Sequence, residues 1–482
     1  MVNRDVELLA IGAGPSNLAL AVALEELAPA LARDSLIIDR NQEISWQHSM
    51  LMPEVLSNTT FLKDLVTMRN PRSKFTFLNY LHSNGRLDQF INLGSFVPYR
   101  HEVASYLKWT AESLSLVELR LGMECVDIRP VWTAGTLTGW ETQLAGGDAI
   151  RSRHLSIGTG RDARIPEPLR DVKAERVIHS TEYRQRIDTM PRDLPYRVAV
   201  IGGGQSAAEL FCAVLSDLPD CRPTMVTRSI GLNFYETSKF NNELYFPSFV
   251  DQFHAARPEA RRRILAEMRH TNYAGLAPDT IEWLYRQFYL DQLTGRGRLA
   301  MVRMHDITDA RDEGDDVVLE LTDWRDGTSQ ELRVDLILLG TGFSAEMPRM
   351  VRRIAGSLGL PRIDISRDYR LIIDQPSTAA CYLHGVNEAT HGISDSLLSV
   401  LAFRADDIIQ DILRQQAGSG PDKAGPEPDR ARAGTAAARA RVTGSRAPGS
   451  RAPLAAAPPP NGAVQRFRNP GANDAACIEG AR

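Results

Sequence analysis

Two stretches of the chain share one pattern of apolar and polar positions: a short apolar run, a glycine-rich turn, and then an alanine- and leucine-rich stretch. The first apolar run, Val6 to Ala10, leads into Ile11-Gly12-Ala13-Gly14-Pro15-Ser16-Asn17. The second, Arg197 to Val200, leads into Ile201-Gly202-Gly203-Gly204-Gln205-Ser206-Ala207. Each stretch predicts a buried strand, a tight turn and a helix, which together open a βαβ unit.

The glycines of the two turns suit the binding of a dinucleotide. Gly12 and Gly202 allow the tight turn, whereas Gly14 and Gly204 let the backbone approach a pyrophosphate. The pyrophosphate would lie at a helix N-terminus, where free N–H groups and the helix dipole favour negative charge. One such pattern also fits an ordinary strand-to-helix turn, but two in one chain predict that the protein holds two nucleotides.

The residues that end the second strand of each unit differ in charge. Asp39 follows the apolar run 36–38, where a carboxylate can accept hydrogen bonds from ribose hydroxyls. Arg228 follows the run 224–227 and can pair with a 2′-phosphate, so NADPH is predicted in preference to NADH at the second site. A solvated strand-end acid at 39 and a surface charge at 228 are the alternatives.

Two related segments frame the second unit. Residues 153–160 and 335–343 each have the pattern of a buried strand that ends in a glycine turn. We therefore predict an α/β fold with two Rossmann-like dinucleotide-binding domains, the second inserted into the first. The predicted boundaries are 1–167 and 336–415 for the first domain, 168–335 for the second, and 416–482 for a disordered tail rich in Ala, Arg, Gly and Pro.

Composition narrows the class of protein. The 482 residues are 43% hydrophobic with a net charge of −4, which favours small-molecule chemistry over binding to nucleic acid or an anionic membrane. No apolar stretch reaches the roughly 20 residues that span a bilayer, and no signal-peptide pattern is present, so a cytoplasmic location is expected. The five cysteines form no C-x-x-C pair, which argues against a zinc site and a disulfide oxidoreductase. No metal is predicted.

Several further segments complete a recognisable set of motifs. They are G-x-G-P-S-N in the first turn, G-G-G-Q-S-A-A-E in the second, F-L-K-D-L at 61–65, R-N-P-R-S at 69–73, F-N-N-E at 240–243, T-N-Y at 271–273, L-G-T-G-F at 339–343 and H-G-I-S-D-S-L-L-S at 391–399. In this order, over residues 5 to about 410, the chain resembles the flavin-dependent N-hydroxylating monooxygenases. Within them it is most similar to the L-ornithine N5-monooxygenases of siderophore biosynthesis.

The resemblance implies two cofactors and a reaction. FAD would occupy the first domain and NADPH the second, with O2 as co-substrate. A C4a-hydroperoxyflavin would pass oxygen to the side-chain amine of L-ornithine, giving N5-hydroxy-L-ornithine for a siderophore or a related peptide natural product. A homo-oligomer is a further expectation, because members of this family are often oligomers.

The resemblance also implies roles for individual residues. Lys63 would pair with the α-carboxylate of the substrate, and Asn242 would hydrogen-bond the amino-acid head. Asn272 would contact substrate and cofactor, and Ser399 would complete the pocket. The remaining implied cofactor contacts are Trp46, Gln47, Asn58, Ser396, Leu397 and Leu398 along the flavin, and Gln205 and Ser206 beside the nicotinamide nucleotide or the flavin, together with the turn residues Gly12, Gly14, Asn17, Asp39, Gly202, Gly204 and Arg228.

The chain departs from the family pattern at three places. Gln47 stands where the family has histidine, Asn58 where it has glutamine, and residues 340–343 read G-T-G-F in place of A-T-G-Y. These changes keep polar or aromatic character. We expect flavin chemistry to persist, although the coupling of oxygen use to hydroxylation can differ.

The residue types suit an amine that must lose a proton before it reacts. A side-chain amine has a pKa of about 10.4, and a neighbouring carboxylate would stabilise the unreactive ammonium. Asn242, Asn272 and Ser399 are uncharged and can orient the amine without holding its proton. Lys63 would anchor the other end of the substrate, although one methylene of side-chain length is worth only about 1 to 3 kcal/mol of selectivity.

Other functions compete with this hypothesis. The nearest is a lysine N6-hydroxylase or a hydroxylase of another diamine. A Baeyer–Villiger or sulfide-oxidising enzyme fits less well, because the F-x-G-x-x-x-H fingerprint is missing and Lys173 and Glu175 stand ahead of His179 where it requires Phe and Gly. A redox-sensing module that binds FAD and NADPH without turnover is the alternative outside enzymes.

Overall fold

The computed structural model describes residues 4–273 and 275–418. The predicted tail lies outside the described residues except for its first three positions. Gln416 is the last residue of a helix, so regular structure continues one residue beyond the predicted end of the first domain.

The strands of the described residues are, in chain order, β1 Arg4–Ile11, β2 Ser35–Ile38, β3 Glu118–Arg120, β4 Cys125–Thr133, β5 Thr136–Leu144, β6 Ala149–Ile157, β7 Val177–His179, β8 Arg197–Ile201, β9 Arg222–Thr227, β10 Asn233–Phe234, β11 Gly275–Leu276, β12 Ala300–Arg303, β13 His305–Glu313, β14 Asp316–Asp323, β15 Ser329–Val334, β16 Leu336–Leu339 and β17 Ala380–Leu383.

The α-helices of the same residues are α1 Pro15–Leu27, α2 Pro29–Arg33, α3 Phe77–Ser83, α4 Leu87–Leu93, α5 Arg100–Glu112, α6 Tyr183–Ile187, α7 Gln205–Asp217, α8 Lys239–Glu243, α9 Pro247–Ala255, α10 Pro258–Asn272, α11 Pro278–Leu293, α12 Arg349–Ser357, α13 Glu388–His391 and α14 Leu401–Gln416. Short 3₁₀ turns cover His48–Met50, Glu167–Leu169, Ala174–Arg176, Ser180–Glu182, Ile393–Ser396 and Leu398–Val400.

The first sheet has seven strands in the order β3-β2-β1-β6-β5-β4, with β17 also paired to β6. Strands β3, β2, β1, β6 and β17 run parallel, and β4 and β5 add an antiparallel edge. Strand β2 is buried along its whole length, as expected for a parallel strand covered on both faces. Helices α1 and α14 pack together in the core on one face, while Trp140 and α12 belong to the core on the other.

The second sheet has five parallel strands in the order β12-β9-β8-β16-β7. Helix α7 packs on one face through Ala208 and Phe211. The antiparallel strands β13, β14 and β15 cover the other face, where Leu319 packs against the sheet. The predicted α/β fold with two Rossmann-like parallel sheets is confirmed.

One predicted boundary is wrong. The predicted first domain resumed at residue 336, but β16 pairs in parallel with β8 on one side and β7 on the other, inside the second sheet. An apolar strand followed by a glycine turn has the same pattern in either sheet, so pairing alone decides where it lies. Chain from the second sheet therefore extends to Leu339, and the first sheet regains a strand only at β17.

Within the described residues, no helix combines the length and the apolarity that a membrane span requires. No group of three or more His, Cys, Asp and Glu side chains is placed to hold a metal ion in that part of the chain.

Candidate functional site

The first glycine turn is closed by steric contact with a neighbouring strand end. Gly12 has a φ of +93°, and its N–H donates to the carbonyl oxygen of Ile38 at 2.8 Å. A Cβ at this position would lie 2.7 Å from the carbonyl oxygen of Gly158, which follows β6. Any side chain would therefore be strained by the backbone angle and blocked by the neighbouring strand.

Asn17 binds the first turn to β6 and is fully buried. Its side-chain amide donates to the carbonyl oxygens of Ile11 at 3.1 Å and Gly12 at 2.7 Å, and its Oδ1 accepts the Ser156 hydroxyl at 2.6 Å. Ser156 Oγ also lies 2.8 Å from His384 Nε2. The side chain of Asn17 is thus used inside the protein, so any cofactor contact from this residue must come from its backbone.

Asp39 also supports the first turn. One carboxylate oxygen accepts the N–H of Ala13 at 2.8 Å, and the other accepts the N–H of Asn41 at 2.8 Å. Each carboxylate oxygen has a second lone pair, so the acid can still accept a ribose hydroxyl. Asp39 therefore supports the turn and is placed to take part in the predicted contact.

The turn fits a dinucleotide pyrophosphate. Gly14 has a φ of −76°, and an added Cβ would meet only the Gly158 carbonyl oxygen at an ordinary 3.8 Å. The protein by itself does not need glycine here, whereas a closely approaching phosphate does. Among the described residues no side chain caps α1, so the N–H groups of its first turn stay available to an anion.

The second glycine turn is restricted in the same way, by a positive φ and by a close carbonyl oxygen. Gly202 has a φ of +140°, and an added Cβ would lie 2.5 Å from the carbonyl oxygen of Gly340. A Cβ on Gly203 would meet Thr227 Oγ1 at 2.6 Å. No side chain in the described residues caps α7, which begins directly after Gly204. The second turn therefore also presents a helix N-terminus suited to a phosphate.

Arg228 lies at the end of β9 with its side chain exposed. Its carbonyl oxygen accepts the indole N–H of Trp324 at 2.8 Å, which holds the backbone in place. Its guanidinium has no partner in the described part of the chain. A free arginine at this strand end fits the predicted 2′-phosphate contact.

Gln205 begins α7 and lies in a network that reaches the first half of the chain. Its Nε2 donates to Glu209 Oε1 and to Thr280 Oγ1, both at 3.0 Å, and its Oε1 accepts the N–H of Ala277 at 2.9 Å. Glu209 forms a buried two-point ion pair with Arg100, which also donates to the carbonyl oxygen of Met50. The start of α7 is thus tied to the loop that carries the predicted flavin-lining residues.

Two residues of that loop have left-handed backbone angles. Gln47 has a φ of 52° and Asn58 a φ of 56°, and both are exposed. Asparagine adopts this region readily, but glutamine does so at a cost. Trp46 is half-buried against the first core. Two of the three places where the chain departs from the family pattern are therefore exposed bends of one loop.

Lys63 lies in a small pocket whose other lining residues are apolar or carry a hydroxyl, apart from the neighbouring Asp64. The pocket is bounded by Ser57, Thr59, Thr60, Phe61, Pro98 and Leu398, with Tyr106 behind. Burial lowers the pKa of the Lys63 ammonium below its ordinary value. Its Nζ makes no hydrogen bond or ion pair with any described residue. A cation held in such a pocket is suited to an anionic ligand group.

The neighbouring acid does not neutralise Lys63. Asp64 is buried and turns its carboxylate toward backbone N–H groups, accepting from Val66 at 2.9 Å, Thr67 at 2.6 Å and Phe77 at 2.8 Å. Burial raises the pKa of Asp64, and these hydrogen bonds oppose that rise. The lysine charge is therefore left for a ligand.

Of the four predicted substrate residues, only Lys63 lines this pocket. Leu398 lines the Lys63 pocket, and the adjacent Ser399 is 7% exposed with no hydrogen-bond partner for its hydroxyl. Asn242 is exposed on α8, and Asn272 is half-buried at the end of α10. Neither amide lines the Lys63 pocket. Their predicted substrate contacts stay predictions.

The other predicted cofactor residues have varied environments. Ser396 is exposed, and Leu397 packs against a small core that includes Ile393 and Tyr245. Ser206 is half-buried in the first turn of α7. Their proposed contacts also stay predictions.

Sequence reasoning missed the residues that hold these groups in place. Arg100 and His384 belong to no motif and lie far along the chain from their partners Glu209 and Ser156. Glu209 ends the G-G-G-Q-S-A-A-E motif and Ser156 lies in the segment 153–160, but neither pattern indicates which residue it pairs with. The only sequence signal for what contacts the two turns was the repeated pattern of an apolar strand followed by glycine, which ends at Gly158 and at Gly340.

The chain is similar to known proteins over most of its length. Residues 4–345 match the family model described as L-lysine 6-monooxygenase/L-ornithine 5-monooxygenase. An L-ornithine N(5)-monooxygenase of Pseudomonas aeruginosa is 36% identical over 414 residues, covering 83% of this chain and 92% of that protein.

Solved structures agree with this similarity. The ornithine hydroxylase from Pseudomonas aeruginosa has a TM-score of 0.80 and 35% identity, covering 86% of this chain and 100% of that structure. The ornithine N-hydroxylase of Kutzneria sp. 744, solved with reduced FAD, NADP⁺ and L-ornithine, has a TM-score of 0.79 and 33% identity, covering 86% and 100%.

Proposed function

We propose, from the premise that the chain belongs to the L-lysine 6-monooxygenase/L-ornithine 5-monooxygenase family, that it uses FAD and NADPH to hydroxylate the side-chain amine of L-ornithine. The product is N5-hydroxy-L-ornithine. The observation that carries the proposal is the half-buried Lys63, whose ammonium has no partner in the described residues and lies in a pocket shared with Leu398.

The two glycine turns support the cofactor assignment. The first turn, with Asp39 at its strand end, suits FAD, and the second, with Arg228, suits NADPH. When bound, NADPH supplies a hydride and the flavin supplies the activation of O2. Every other role falls to side chains that bind and orient the amino acid.

Lys63 anchors the substrate through its α-carboxylate. A charge-assisted hydrogen bond in a pocket of low polarity is stronger than one in water. Because Asp64 is occupied by backbone N–H groups, it does not compete with the substrate carboxylate for the Lys63 ammonium. The distance from Lys63 then selects the length of the substrate side chain, which favours ornithine over lysine.

The amine end is oriented by uncharged groups. Ser399 has a buried hydroxyl free to bond a ligand, and Asn272 and Asn242 supply neutral amides. A group that accepts or donates without a charge does not stabilise the ammonium, so the amine can lose its proton and present a lone pair. The hydroxylamine product suits incorporation into a siderophore or a related peptide natural product.

The test is hydroxylamine formation by the purified protein with FAD and NADPH, comparing L-ornithine with L-lysine and measuring hydrogen peroxide. Product from ornithine supports the proposal. Equal or greater product from lysine favours the N6-hydroxylase alternative. Flavin and NADPH binding without NADPH oxidation in the presence of either amino acid would favour the redox-sensing alternative.

Replacing the anchor sharpens the test. We expect Lys63→Met to raise the KM for ornithine at least a hundredfold, about 2.7 kcal/mol, while NADPH oxidation without substrate stays unchanged. Lys74→Met is the matched control, because Lys74 is exposed near the same segment. A KM unchanged in the Lys63 variant would contradict the assigned anchor.

A further inference from the structure

Arg404 is a fully buried arginine that joins two segments far apart in the sequence. It lies in the first turn of α14 and is 1% exposed. Its Nη1 donates to the Asp395 carbonyl oxygen at 2.7 Å and to Asp395 Oδ1 at 2.9 Å, and its Nη2 donates to Ser16 Oγ at 3.0 Å. Burying a guanidinium is costly unless it is paired with a carboxylate and hydrogen-bonded, as Arg404 is.

The Asp395 end of this contact leads to the predicted flavin-lining segment. Asp395 is 1% exposed, and its second carboxylate oxygen accepts the N–H of Asn387 at 2.7 Å. It directly precedes Ser396, Leu397 and Leu398. The arginine bonds both the side chain and the backbone of Asp395, so it sets where this segment begins.

The Ser16 end leads to the first glycine turn. Ser16 is the second residue of α1, two positions after Gly14, in the helical turn whose N–H groups suit a pyrophosphate. The guanidinium also lies 5.6 Å from the centre of the Tyr369 ring, and that ring stacks on His391 at 4.1 Å. These contacts leave the arginine one orientation.

We propose that Arg404 is a positioning residue for FAD. It holds the pyrophosphate turn and the flavin-lining segment 396–398 at a fixed separation, so that both ends of the dinucleotide meet a site that is already formed. Because Asp395 neutralises the guanidinium, the effect is geometric rather than a direct attraction for phosphate. A pre-formed site binds its ligand more tightly, because the binding free energy is not reduced by the entropy lost when protein segments become ordered.

The inference rests on the cofactor assignment of the proposed function, and its test needs no amino-acid substrate. Protein freed of FAD is titrated with FAD and, separately, with NADP⁺, and the dissociation constants are measured by fluorescence. We expect Arg404→Met to raise the FAD Kd at least tenfold and to leave the NADP⁺ Kd within twofold. Arg404→Lys should fall between, because one ammonium cannot bridge both partners as a guanidinium does.

A double-mutant cycle separates positioning from general support. Ser16→Ala alone should raise the FAD Kd about threefold, and combined with Arg404→Met it should add little, because both changes break one connection. Arg184→Met is the matched control, since Arg184 joins α6 to Asp217 of α7 in the second-sheet region. It should lower the Tm without changing the FAD Kd.

Three results would overturn the inference: an unchanged FAD Kd in folded Arg404→Met, fully additive effects of the two variants, or an equal loss of FAD in Arg184→Met. If Arg404→Met does not fold, Arg404→Lys and Ser16→Ala form the cycle instead. Wild-type protein that binds no FAD would refute the proposed function itself, whereas wild-type binding with unchanged variants refutes only the role of Arg404.

Discussion

The two glycine turns are restricted by the same kind of backbone contact but have different surroundings. In the first, Gly12 faces the carbonyl oxygen of Gly158; in the second, Gly202 faces that of Gly340. Each facing glycine also donates its N–H to the strand before the turn, to Ile11 and Ile201 respectively. A tight strand-to-helix turn in a parallel sheet therefore requires glycine twice, once in the turn and once on the strand beside it.

The positions after the glycines separate the two sites. Asn17 of the first turn forms a buried polar network, whereas the equivalent Ala207 packs against Gly340 and Gly202 by apolar contact. Ser16 is bonded by Arg404, while the equivalent Ser206 has no partner in the described residues. The first turn is thus cross-linked to β6 and α14 through Asn17 and Ser16, whereas the second is bonded through Gln205 to Glu209, Thr280 and Ala277 and leaves the Ser206 hydroxyl for a ligand.

The largest expected effect comes from adding a side chain at the first glycine of either turn. Gly12→Ala and Gly202→Ala should each lower the free energy of unfolding by about 3 kcal/mol, because the added Cβ meets a carbonyl oxygen at an unfavourable φ. Denaturant unfolding of FAD-free protein measures this. Gly14→Ala should leave that stability nearly unchanged and weaken only FAD binding. Equal destabilisation by Gly12→Ala and Gly14→Ala would show that the steric argument is wrong.

A smaller effect is expected from breaking the polar network of the first turn. Asn17→Ala should lower the free energy of unfolding by about 2 kcal/mol, since it leaves buried polar groups without partners. Ser156→Ala removes the contacts of one hydroxyl with Asn17 and His384 but keeps the two bonds from Asn17 to the turn, so it should cost less. The comparison is made by the same unfolding measurement, and a neutral Asn17→Ala would mean that apolar packing suffices at both turns.

The smallest effect concerns nucleotide choice at the second turn. Arg228→Ala should weaken NADPH binding about tenfold, roughly 1.4 kcal/mol, and leave NADH binding unchanged. Titration with both nucleotides measures the difference. Arg222→Ala, at the exposed start of the same strand, serves as the control. An equal loss of both nucleotides would assign Arg228 a structural role.

Patterns within a few residues of sequence predicted the fold class and several residues of the candidate site. The two strand–glycine–helix stretches, the unlike residues Asp39 and Arg228, and the family resemblance, now confirmed, all rest on neighbours along the chain. The F-L-K-D-L segment also led to Lys63, which the structure places in a pocket with Leu398. The roles of Asn242 and Asn272 stay predictions, since neither amide lines the Lys63 pocket.

Local sequence therefore determined that two glycine turns exist and which charges end their strands, because a φ angle and a strand end depend on adjacent residues. Only the tertiary structure decided which strands close on those turns, and it moved Leu336–Leu339 into the second sheet. It also brought Ser16 to Arg404 across 388 positions. Such partners are chosen by packing and by the need to pair a buried charge, and no periodicity along the chain records them.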